Sequence, residues 1–441
     1  MDFVLKGAAL VYPDRIIGSE VLVKDGKIAR LAKRIEAHGE KIINASGHFV
    51  LPGVIDAHVH LREPGGTHKE DFSTGTRAAL AGGVTSVLCM PNTSPSIDSM
   101  QMLGEWKKMA EKCACDYGFQ FGGSTANEKE AAKAAGDANV AALKIFLGSS
   151  TGSLLVKDFA PLYGLFSSWH SQKPVTVHGE DEDAVKFFTE RVREEKKSDA
   201  AAADHNKCRP PVCAEMAVKR AISIAAETGR RLHVCHASTA GELMAVKEAK
   251  KAGLPITCEV TPHHLFLSED DTKRLKNFGK MNPPLRSKED VAAVWKAIAD
   301  GTVDCVATDH APHTREEKEK GYWDAPSGVP GLETMLPLLL DAVNAKKIGL
   351  ERLGGLCCAS PAKIFELKGK GGFGVGMDAD FTLIDLKGTT KIDGARLFTK
   401  CKWSPWEGKI LKGRVARVFL RGEEAFDGEN VISRGGKALV F

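Results

Sequence analysis

Between about residues 52 and 366 the chain alternates short apolar runs with stretches whose apolar residues recur at helical spacing. The runs are rich in β-branched residues and are bounded by turn-forming residues, which favours buried strands. They predict strands over Gly53–Ala57, Val84–Met90, Tyr117–Phe121, Val140–Leu147, Pro174–Val177, Arg231–Cys235, Pro255–Val260 and Val303–Thr308. The stretches between them predict helices that include Asp71–Ala81, Met100–Lys112, Val212–Thr228, Thr239–Ala252, Lys288–Ala299 and Leu332–Asn344.

Eight strands, each followed by a helix, favour an α/β fold built as a parallel (β/α)8 barrel over residues 52–366. An open doubly wound sheet is the alternative, but no Gly-x-Gly-x-x-Gly follows an early strand. The segment of residues 191–211, rich in Lys, Ala and Asp, interrupts the alternation. We predict a mobile loop or lid there.

Both ends of the chain have a different pattern, with extended apolar runs and turns. Val4–Val11 and Ser19–Val23 predict strands, and Asp25-Gly26 is typical of a hairpin turn. Near the carboxyl end, Asp380–Asp385 and Arg414–Arg421 predict further strands. We therefore expect residues 1–51 and 367–441 to meet in one small β domain beside the barrel.

Composition narrows the class of protein. The 441 residues are 43% hydrophobic and 27% charged, which is typical of a globular chain, and the net charge of +4 gives no support to nucleic-acid binding. No apolar stretch reaches the roughly 18 residues of a membrane span, and the amino terminus lacks the pattern of a signal peptide. Eleven cysteines without a Cys-x-x-Cys motif indicate buried free thiols in a reducing cytosol. We expect a soluble cytoplasmic protein without nucleic-acid or membrane partners.

Polar residues concentrate where the predicted strands end, which is where barrels of this kind carry their chemistry. Eight of the fourteen histidines lie at five of these ends. In His58-x-His60 the two imidazoles share one face of a strand and can reach one metal ion. An isolated pair of this kind is more often two hydrogen-bonded core histidines. His178, His236 and Asp309 at other strand ends favour the metal, with Zn²⁺ preferred and Mn²⁺, Co²⁺ or Fe²⁺ possible.

Lys144 lies inside the apolar run Val140–Leu147, where a charged lysine is costly unless it is paired. One interpretation is a lysine that extends from the strand end to solvent. The other is a lysine that has reacted with CO₂ to form a carbamate, which could bridge two metal ions.

Arg62, Asn92 and His313 follow three strand ends at the same predicted rim. Arginine offers a planar fork that matches a carboxylate, and the other two can donate to the same group. A surface salt bridge is an equally good interpretation of Arg62 alone. The three together favour an anionic small-molecule substrate.

Asp309 can ligate a metal and can also carry a proton between an attacking water and a leaving nitrogen. His310 alternates away from it and is interpreted as structural. His233 and the pair His263-His264 stay open, with at most one of the pair expected to face the site.

These motifs resemble the amidohydrolase superfamily and, within it, the dihydroorotases, essentially from residue 1 to residue 441. The residues that carry the resemblance are Pro52–Gly65 with Asp56, His58, His60 and Arg62, Ala307–His313, Met90-Pro91-Asn92-Thr93, Val234-Cys235-His236, Glu259–His264 and Asn282–Arg286. The resemblance implies a metal-dependent barrel flanked by a small β-sandwich that both chain ends build.

The resemblance also implies roles for the site residues. His58, His60 and Asp309 would hold one Zn²⁺, His178 and His236 a second, and carboxylated Lys144 would bridge them. Arg62, Asn92 and His313 would bind the substrate carboxylate, while Asn282 and the backbone at Ser327-Gly328 would meet the ring amides. Some branches place an aspartate at the bridging position, so Ala142-Leu143-Lys144 favours the lysine type.

The implied reaction is the reversible cyclisation of N-carbamoyl-L-aspartate to (S)-dihydroorotate, with Asp309 as the proton carrier. The alternatives are an allantoinase or dihydropyrimidinase, which share the metal site, and a non-catalytic scaffold that has lost its metals. His313 favours the dihydroorotase reaction over an allantoinase or dihydropyrimidinase reaction. A homo-oligomer and an association with aspartate carbamoyltransferase are further expectations.

Overall fold

The computed structural model describes residues 2–149 and 154–441, and in these ranges the chain forms two sheets. Five strands near the amino end belong to the first sheet: β1 (Phe3–Val11), β2 (Ile16–Lys24), β3 (Lys27–Ala32), β4 (Lys41–Asn44) and β5 (Phe49–Pro52). The second sheet contains β6 (Val54–Val59), β7 (Val84–Cys89), β8 (Asp116–Gly122), β9 (Val140–Phe146), β10 (Val175–His178), β11 (Leu232–Val234), β12 (Ile256–Val260) and β13 (Cys305–Val306). The first sheet is completed by β14 (Phe381–Lys391), β15 (Ile410–Leu420) and β16 (Glu423–Phe426).

The helices lie mainly between the strands of the second sheet. They are α1 (Phe72–Ala81), α2 (Met100–Met109), α3 (Glu128–Ala134), α4 (Phe159–Ser168), α5 (Glu182–Lys196), α6 (His205–Cys208), α7 (Pro211–Thr228), α8 (Ala240–Lys251), α9 (Pro262–Phe266), α10 (Thr272–Leu275), α11 (Lys288–Ala299), α12 (Arg315–Lys318), α13 (Met335–Asn344), α14 (Leu350–Gly354) and α15 (Ser360–Ile364). Short 3-10 turns cover Ala110–Lys112, Lys197–Asp199, Ala202–Asp204, Glu269–Asp271, Lys276–Gly279 and Gly394–Arg396, and a π-turn covers Gly355–Ala359.

The second sheet is the predicted parallel barrel. Its strands run in the order β6 to β13, each pairing in parallel with the next. The ring closes beyond β13, where the His60 amide donates to the His310 carbonyl (2.8 Å) and Val59 bridges the same residue. Buried apolar residues such as Val87, Leu143 and Val177 fill the space between strands and helices. The strand ends therefore open on one common mouth.

The first sheet joins both ends of the chain in the order β16-β15-β14-β5-β1-β2-β3, with β4 beside β1. The strand β5 pairs antiparallel with β14, with Pro52 opposite Phe381 and Phe49 opposite Ile384. A separate apolar cluster holds this domain together and includes Phe3 and Phe419. The change from one sheet to the other falls between β5 and β6 and between α15 and β14; the exact domain boundaries at 51/52 and 366/367 stay a prediction.

The carboxyl-terminal tail lies against the barrel at the start of β8. The amides of Leu439 and Phe441 donate to the carbonyls of Tyr117 (2.7 Å) and Ala138 (2.9 Å). Nearby, the ammonium of Lys370 lies 2.6 Å from Asp116 and Asp380 and 2.9 Å from Asp378. Because the four groups are mostly buried and the three aspartates come from both domains, this cluster, which we call the Lys370 cluster, joins the barrel to the β domain.

Several local expectations are confirmed and one is wrong. Asp25 and Gly26 both have positive φ, of 49° and 74°, as a two-residue hairpin turn requires. All eleven cysteines are buried and free. The segment 191–211 is not a loop, since α5 runs to Lys196 and two 3-10 turns and α6 follow. The last barrel strand is shorter than predicted, with only Cys305–Val306 in ladder geometry. No helix in the described ranges is long and apolar enough to cross a membrane.

Candidate metal centre and substrate site

Three of the predicted site residues have an uncommon backbone conformation. Arg62, His236 and Asp309 have φ of 60°, 36° and 45°, in the left-handed region that residues with a side chain seldom adopt. All three lie two or three residues beyond the ends of barrel strands, at the mouth of the barrel. Conformations of this kind persist where the surrounding structure enforces them, and they cluster at functional sites.

A first group of ligand atoms consists of His58 Nε2, His60 Nε2 and Asp309 Oδ1. The two nitrogens lie 3.3 and 3.0 Å from the Asp309 oxygen. The other nitrogen of each ring is taken, since His58 Nδ1 lies 2.5 Å from Glu259 Oε1 and His60 Nδ1 lies 2.7 Å from Asn92 Oδ1. These partners fix the tautomer and leave Nε2 of both rings for a metal ion.

A second group is formed by His178 Nδ1 and His236 Nε2, which lie 2.9 Å apart. The far nitrogen of His178 lies 3.2 Å from the buried carboxylate of Glu180. His236 Nδ1 is buried and has no hydrogen-bond partner among the described residues. The 2.9 Å separation of His178 Nδ1 and His236 Nε2 is slightly shorter than the distance between two ligand atoms of a tetrahedral Zn²⁺ site, which is about 3.3 Å.

Lys144 is near both groups, since besides burial its charge acts to lower the pKa values of His58, His178 and His236. It is fully buried on β9, where it pairs with Thr176 of β10. Its Nζ lies 3.0 Å from Cys235 Sγ and 5.0 Å from the ring centroid of Phe146. No carboxylate of the described residues is within ion-pair distance of this nitrogen. The alternative in which Lys144 extends to solvent is therefore wrong.

The charges of the site favour metal-ligating protonation states at every ligand except His58. Burial lowers the pKa of His60 to about 4, and the pKa values of His178 and His236 are also lowered by burial. Burial alone would raise the pKa of Asp309, but the neighbouring histidines hold it well below its usual value. At His58 burial is outweighed by the Glu259 carboxylate, which raises the pKa to about 10. A metal ion would displace that proton.

These residues fit a pair of divalent cations. Imidazole and carboxylate donors converge in two groups. In the second group, His236 contributes Nε2, and its other ring nitrogen, Nδ1, is buried without a described partner. The donor set suits Zn²⁺, with Mn²⁺, Co²⁺ and Fe²⁺ as alternatives.

The predicted anion-binding residues meet at the rim. Arg62 is 7% exposed; its Nε donates to the Pro312 carbonyl and its Nη2 lies 3.1 Å from His313 Nε2. That His313 nitrogen is also 3.0 Å from the Ser327 carbonyl, which only accepts, so it carries the proton. Two donors then face each other without an acceptor between them. An anionic group placed beside both would relieve this arrangement.

The other members of the rim are also oriented. Lys69 Nζ lies 3.2 Å from His313 Nδ1 and donates to it, because burial first and the nearby Arg62 cation second lower the pKa of His313 to about 3. Burial lowers the pKa of Arg62 to about 10, so its guanidinium stays charged at neutral pH. Asn92 directs its oxygen to His60, which turns its amide nitrogen to the other side.

Asn282, Ser327 and Gly328 were predicted to bind the substrate ring. Most backbone groups of Ser327 and Gly328 already form hydrogen bonds within the protein. The Ser327 carbonyl accepts from His313, the Gly328 amide donates to the Lys280 carbonyl (2.9 Å), and the Gly328 carbonyl accepts from Lys318 Nζ. Gly328 has φ of 140°, and a Cβ there would lie 2.4 Å from the Ala311 carbonyl oxygen. This segment is therefore a tightly fixed wall.

The remaining histidines divide clearly. His264 contacts Thr261 and the carbonyls of Pro283 and Pro284, so it fixes a loop. His263 Nε2 is buried without a described partner. His310 faces Glu70 and accepts from the Gly331 amide, and His233 contacts Thr257 and Glu259.

Two residues that orient the ligands were not assigned this role from the sequence. Glu259 contacts both His58 and His233, and Glu180 accepts from Arg209 while it faces His178. The available signal was a glutamate in or directly after an apolar strand, where an unpaired carboxylate is costly. Glu259 appeared only as part of a motif, without a role.

Comparison with known proteins agrees with this geometry. The amidohydrolase family model matches residues 49–425. The chain is 39% identical over 434 residues to a protein named dihydroorotase from Halobacterium salinarum, covering 96% of this chain and 99% of that one. It is 38% identical to part of the multifunctional protein CAD from Squalus acanthias, covering 87% of this chain and 15% of that protein. The L-hydantoinase (dihydropyrimidinase) structure from Arthrobacter aurescens superposes with a TM-score of 0.96 at 29% identity, over 100% of both chains.

The chain therefore belongs to the amidohydrolase family of metal-dependent barrel hydrolases. Within that family its nearly full-length match to curated proteins at 35–39% identity places it with the dihydroorotases.

Proposed function

We propose that this enzyme is a dihydroorotase, which interconverts N-carbamoyl-L-aspartate and (S)-dihydroorotate in de novo pyrimidine (UMP) biosynthesis. The observation that carries the proposal is the buried donor pair of Arg62 Nη2 and His313 Nε2, 3.1 Å apart, at the rim of the metal-ligand groups. A cyclic amide that carries a carboxylate supplies the anion that this pair needs. A neutral cyclic amide does not.

Two Zn²⁺ ions per subunit would complete the proposed site. His58, His60 and Asp309 would hold the first, and His178 and His236 would hold the second. A carbamate on Lys144 would serve both ions, and the ions would compensate its negative charge, while the unmodified lysine is fully buried without a carboxylate partner. When bound, the cations supply Lewis-acid activation of water and of the scissile carbonyl.

The protein's own residues supply positioning and proton transfer. In ring opening, Arg62, Asn92 and His313 hold the substrate carboxylate and thereby fix the scissile amide at the strand ends. The carboxylate of Asp309, whose low pKa keeps it ionised, takes a proton from the attacking water and delivers it to the departing ring nitrogen. In cyclisation the same carboxyl works in reverse.

A neutral cyclic-amide hydrolase, such as an allantoinase or dihydropyrimidinase, is the second candidate. The superposition on an L-hydantoinase favours it at the level of the fold. The identity to that structure is 29%, against 39% to the dihydroorotase of Halobacterium salinarum, and the Arg62–His313 pair has no use with a neutral substrate. A non-catalytic scaffold is disfavoured because every expected ligand residue is present at the mouth.

The test compares ring opening of dihydroorotate, allantoin and dihydrouracil by the purified protein, with and without a metal chelator. We expect turnover of dihydroorotate that the chelator abolishes and added Zn²⁺ restores. Activity on allantoin alone would refute the proposal. If no substrate is turned over, the metal content of the same preparation distinguishes two explanations. A scaffold contains no metal, whereas an enzyme with a different substrate contains it.

We further propose a cytoplasmic location, a homo-oligomer and an association with aspartate carbamoyltransferase. The match to one part of the multifunctional protein CAD supports an association with other enzymes of the same route. Co-purification with aspartate carbamoyltransferase and the sedimented mass of the protein test the last two.

A further inference from the structure

His205 connects the segment after α5 with the loop that carries Asn282. It is buried at 6% exposure and is the first residue of α6. Its Nε2 lies 3.1 Å from the Met281 carbonyl oxygen and 2.8 Å from Asn282 Oδ1. Its Nδ1 lies 2.9 Å from the hydroxyl of Tyr322. None of the residues that it contacts belongs to the two metal-ligand groups.

The contacts determine the tautomer of His205. A backbone carbonyl only accepts hydrogen bonds, so the nitrogen that faces the Met281 carbonyl must carry the proton. Burial and the nearby cations of Arg209 and Lys280 lower the pKa of His205 to about 3, so the ring is neutral and Nδ1 is an acceptor. The Tyr322 hydroxyl therefore donates its one proton to Nδ1, and in its 3.4 Å contact with Cys208 the thiol is then the donor.

The tautomer in turn determines the orientation of the Asn282 amide. A donating Nε2–H requires an acceptor opposite, which is Oδ1 and not the amide nitrogen. The amide nitrogen then faces the other way, and no described residue accepts a hydrogen bond from it. Asn282 is only partly buried.

The segment that carries His205 is itself firmly held. Arg209 donates to Glu180 and to the Ser149 carbonyl (2.8 Å), while Arg286 Nη1 donates to the Arg209 carbonyl (2.5 Å) and to Asn206 Oδ1 (2.7 Å). Asn206, Cys208 and Arg209 follow His205 within one turn. The imidazole therefore has a fixed position relative to Asn282.

We propose that His205 is a positioning residue for substrate recognition: it locks the Asn282 amide with its nitrogen toward the ring, so that the site reads the ureido carbonyl of the substrate. This inference rests on the proposed function, because the ureido carbonyl lies between the two ring nitrogens of dihydroorotate. A released Asn282 could turn over and offer an acceptor, which would face that carbonyl oxygen without a hydrogen bond.

The test uses dihydroorotate and its 2-thio analogue, in which the ureido oxygen is replaced by sulfur, a weaker acceptor. Both compounds are assayed for kcat and KM, and their affinities are measured by calorimetry, with wild type, His205→Ala, His205→Gln and Tyr322→Phe. We expect wild type to prefer the oxygen compound by about tenfold, the effect of one good hydrogen bond. In His205→Ala this preference should fall close to one, mainly through KM.

The two other variants separate positioning from folding. A glutamine amide can also donate to Asn282 Oδ1, so His205→Gln should regain most of the preference. Tyr322→Phe should keep it, because the Met281 carbonyl still requires the proton on Nε2. If His205→Ala lowers kcat/KM and affinity for both compounds by the same factor, the residue is merely structural and the proposal is wrong.

Failure of the proposed function gives a different result. Wild type that binds both compounds but opens neither refutes the dihydroorotase assignment, and the ratio of the two calorimetric affinities then still reports on His205. Wild type that binds neither compound refutes both proposals. An unchanged ratio in His205→Ala overturns the positioning role in either case.

Discussion

His60 Nε2 and Asp309 Oδ1 lie 3.0 Å apart although 249 positions separate the two residues in the chain. The contact is possible because the barrel closes at this point, where the His60 amide donates to the His310 carbonyl. The first and last barrel strands therefore supply one shared group of ligand atoms. Closure of the barrel therefore assembles the first group of ligand atoms.

Asp309→Asn should reduce kcat by roughly 10²- to 10⁴-fold, the usual contribution of a positioned proton carrier. The amide keeps the size of the carboxyl but cannot accept the proton, and KM should change little. Steady-state kinetics with dihydroorotate measure this, with metal content determined on the same sample. The neighbouring His310→Gln is the matched control, since His310 faces Glu70 and Gly331. An Asp309→Asn variant with wild-type kcat and full metal content would contradict the assignment.

Arg62→Ala should raise KM for dihydroorotate by roughly ten- to a hundredfold, since a charge-assisted hydrogen bond is lost beside His313. The value of kcat should fall much less. Dihydrouracil, which lacks the carboxylate, provides the internal control: its slow turnover, where measurable, should be the same in both proteins. An equal loss of activity on both compounds would show that Arg62 stabilises the structure of the rim and does not bind the substrate carboxylate.

Metal uptake should depend on CO₂ through Lys144. Protein stripped with a chelator and reloaded with Zn²⁺ should bind more metal and regain more activity when bicarbonate is present, because the carbamate form of Lys144 offers oxygen ligands and the free ammonium does not. Lys144→Met should lose most of the metal under both conditions. Lys173→Met is the control for loss of a buried lysine, since Lys173 contacts the Asp137 carbonyl away from the centre. Full Zn²⁺ content in Lys144→Met would exclude the bridge.

Lys370→Met should reduce the free energy of unfolding by about 3–5 kcal/mol, because it leaves buried carboxylates without their cation. The loss should grow with pH. Burial already raises the pKa of Asp380, and a carboxyl whose folded pKa is raised stabilises at low pH and loses that contribution as pH rises through the folded value. Urea unfolding at pH 5 and pH 8 measures this, with exposed Lys368→Met as the control. A smaller deficit at pH 8 than at pH 5 would contradict the role of the Lys370 cluster.

The sequence predicted the barrel and its mouth because alternation of strands and helices and the polar residues at strand ends are local signals. The His58-x-His60 motif could be placed on one face from the period of a strand alone. The partners of those rings could not, since Glu259 reaches His58 across 201 positions and only the closed barrel brings them together. The same applies to the segment that contains His205, where charged and alanine-rich composition favoured a loop although tertiary contacts stabilise helical turns.

The antiparallel pairing of β5 with β14 has a consequence for synthesis. Residues 49–52 leave the ribosome long before residues 381–391, and at roughly 5–20 residues per second the delay is on the order of tens of seconds. During that time the amino-terminal strands present an unpaired edge, which is a template for contacts with other chains. Protection of this edge by chaperones, or rapid closure of the barrel beside it, is thus a requirement for a good yield of the native enzyme.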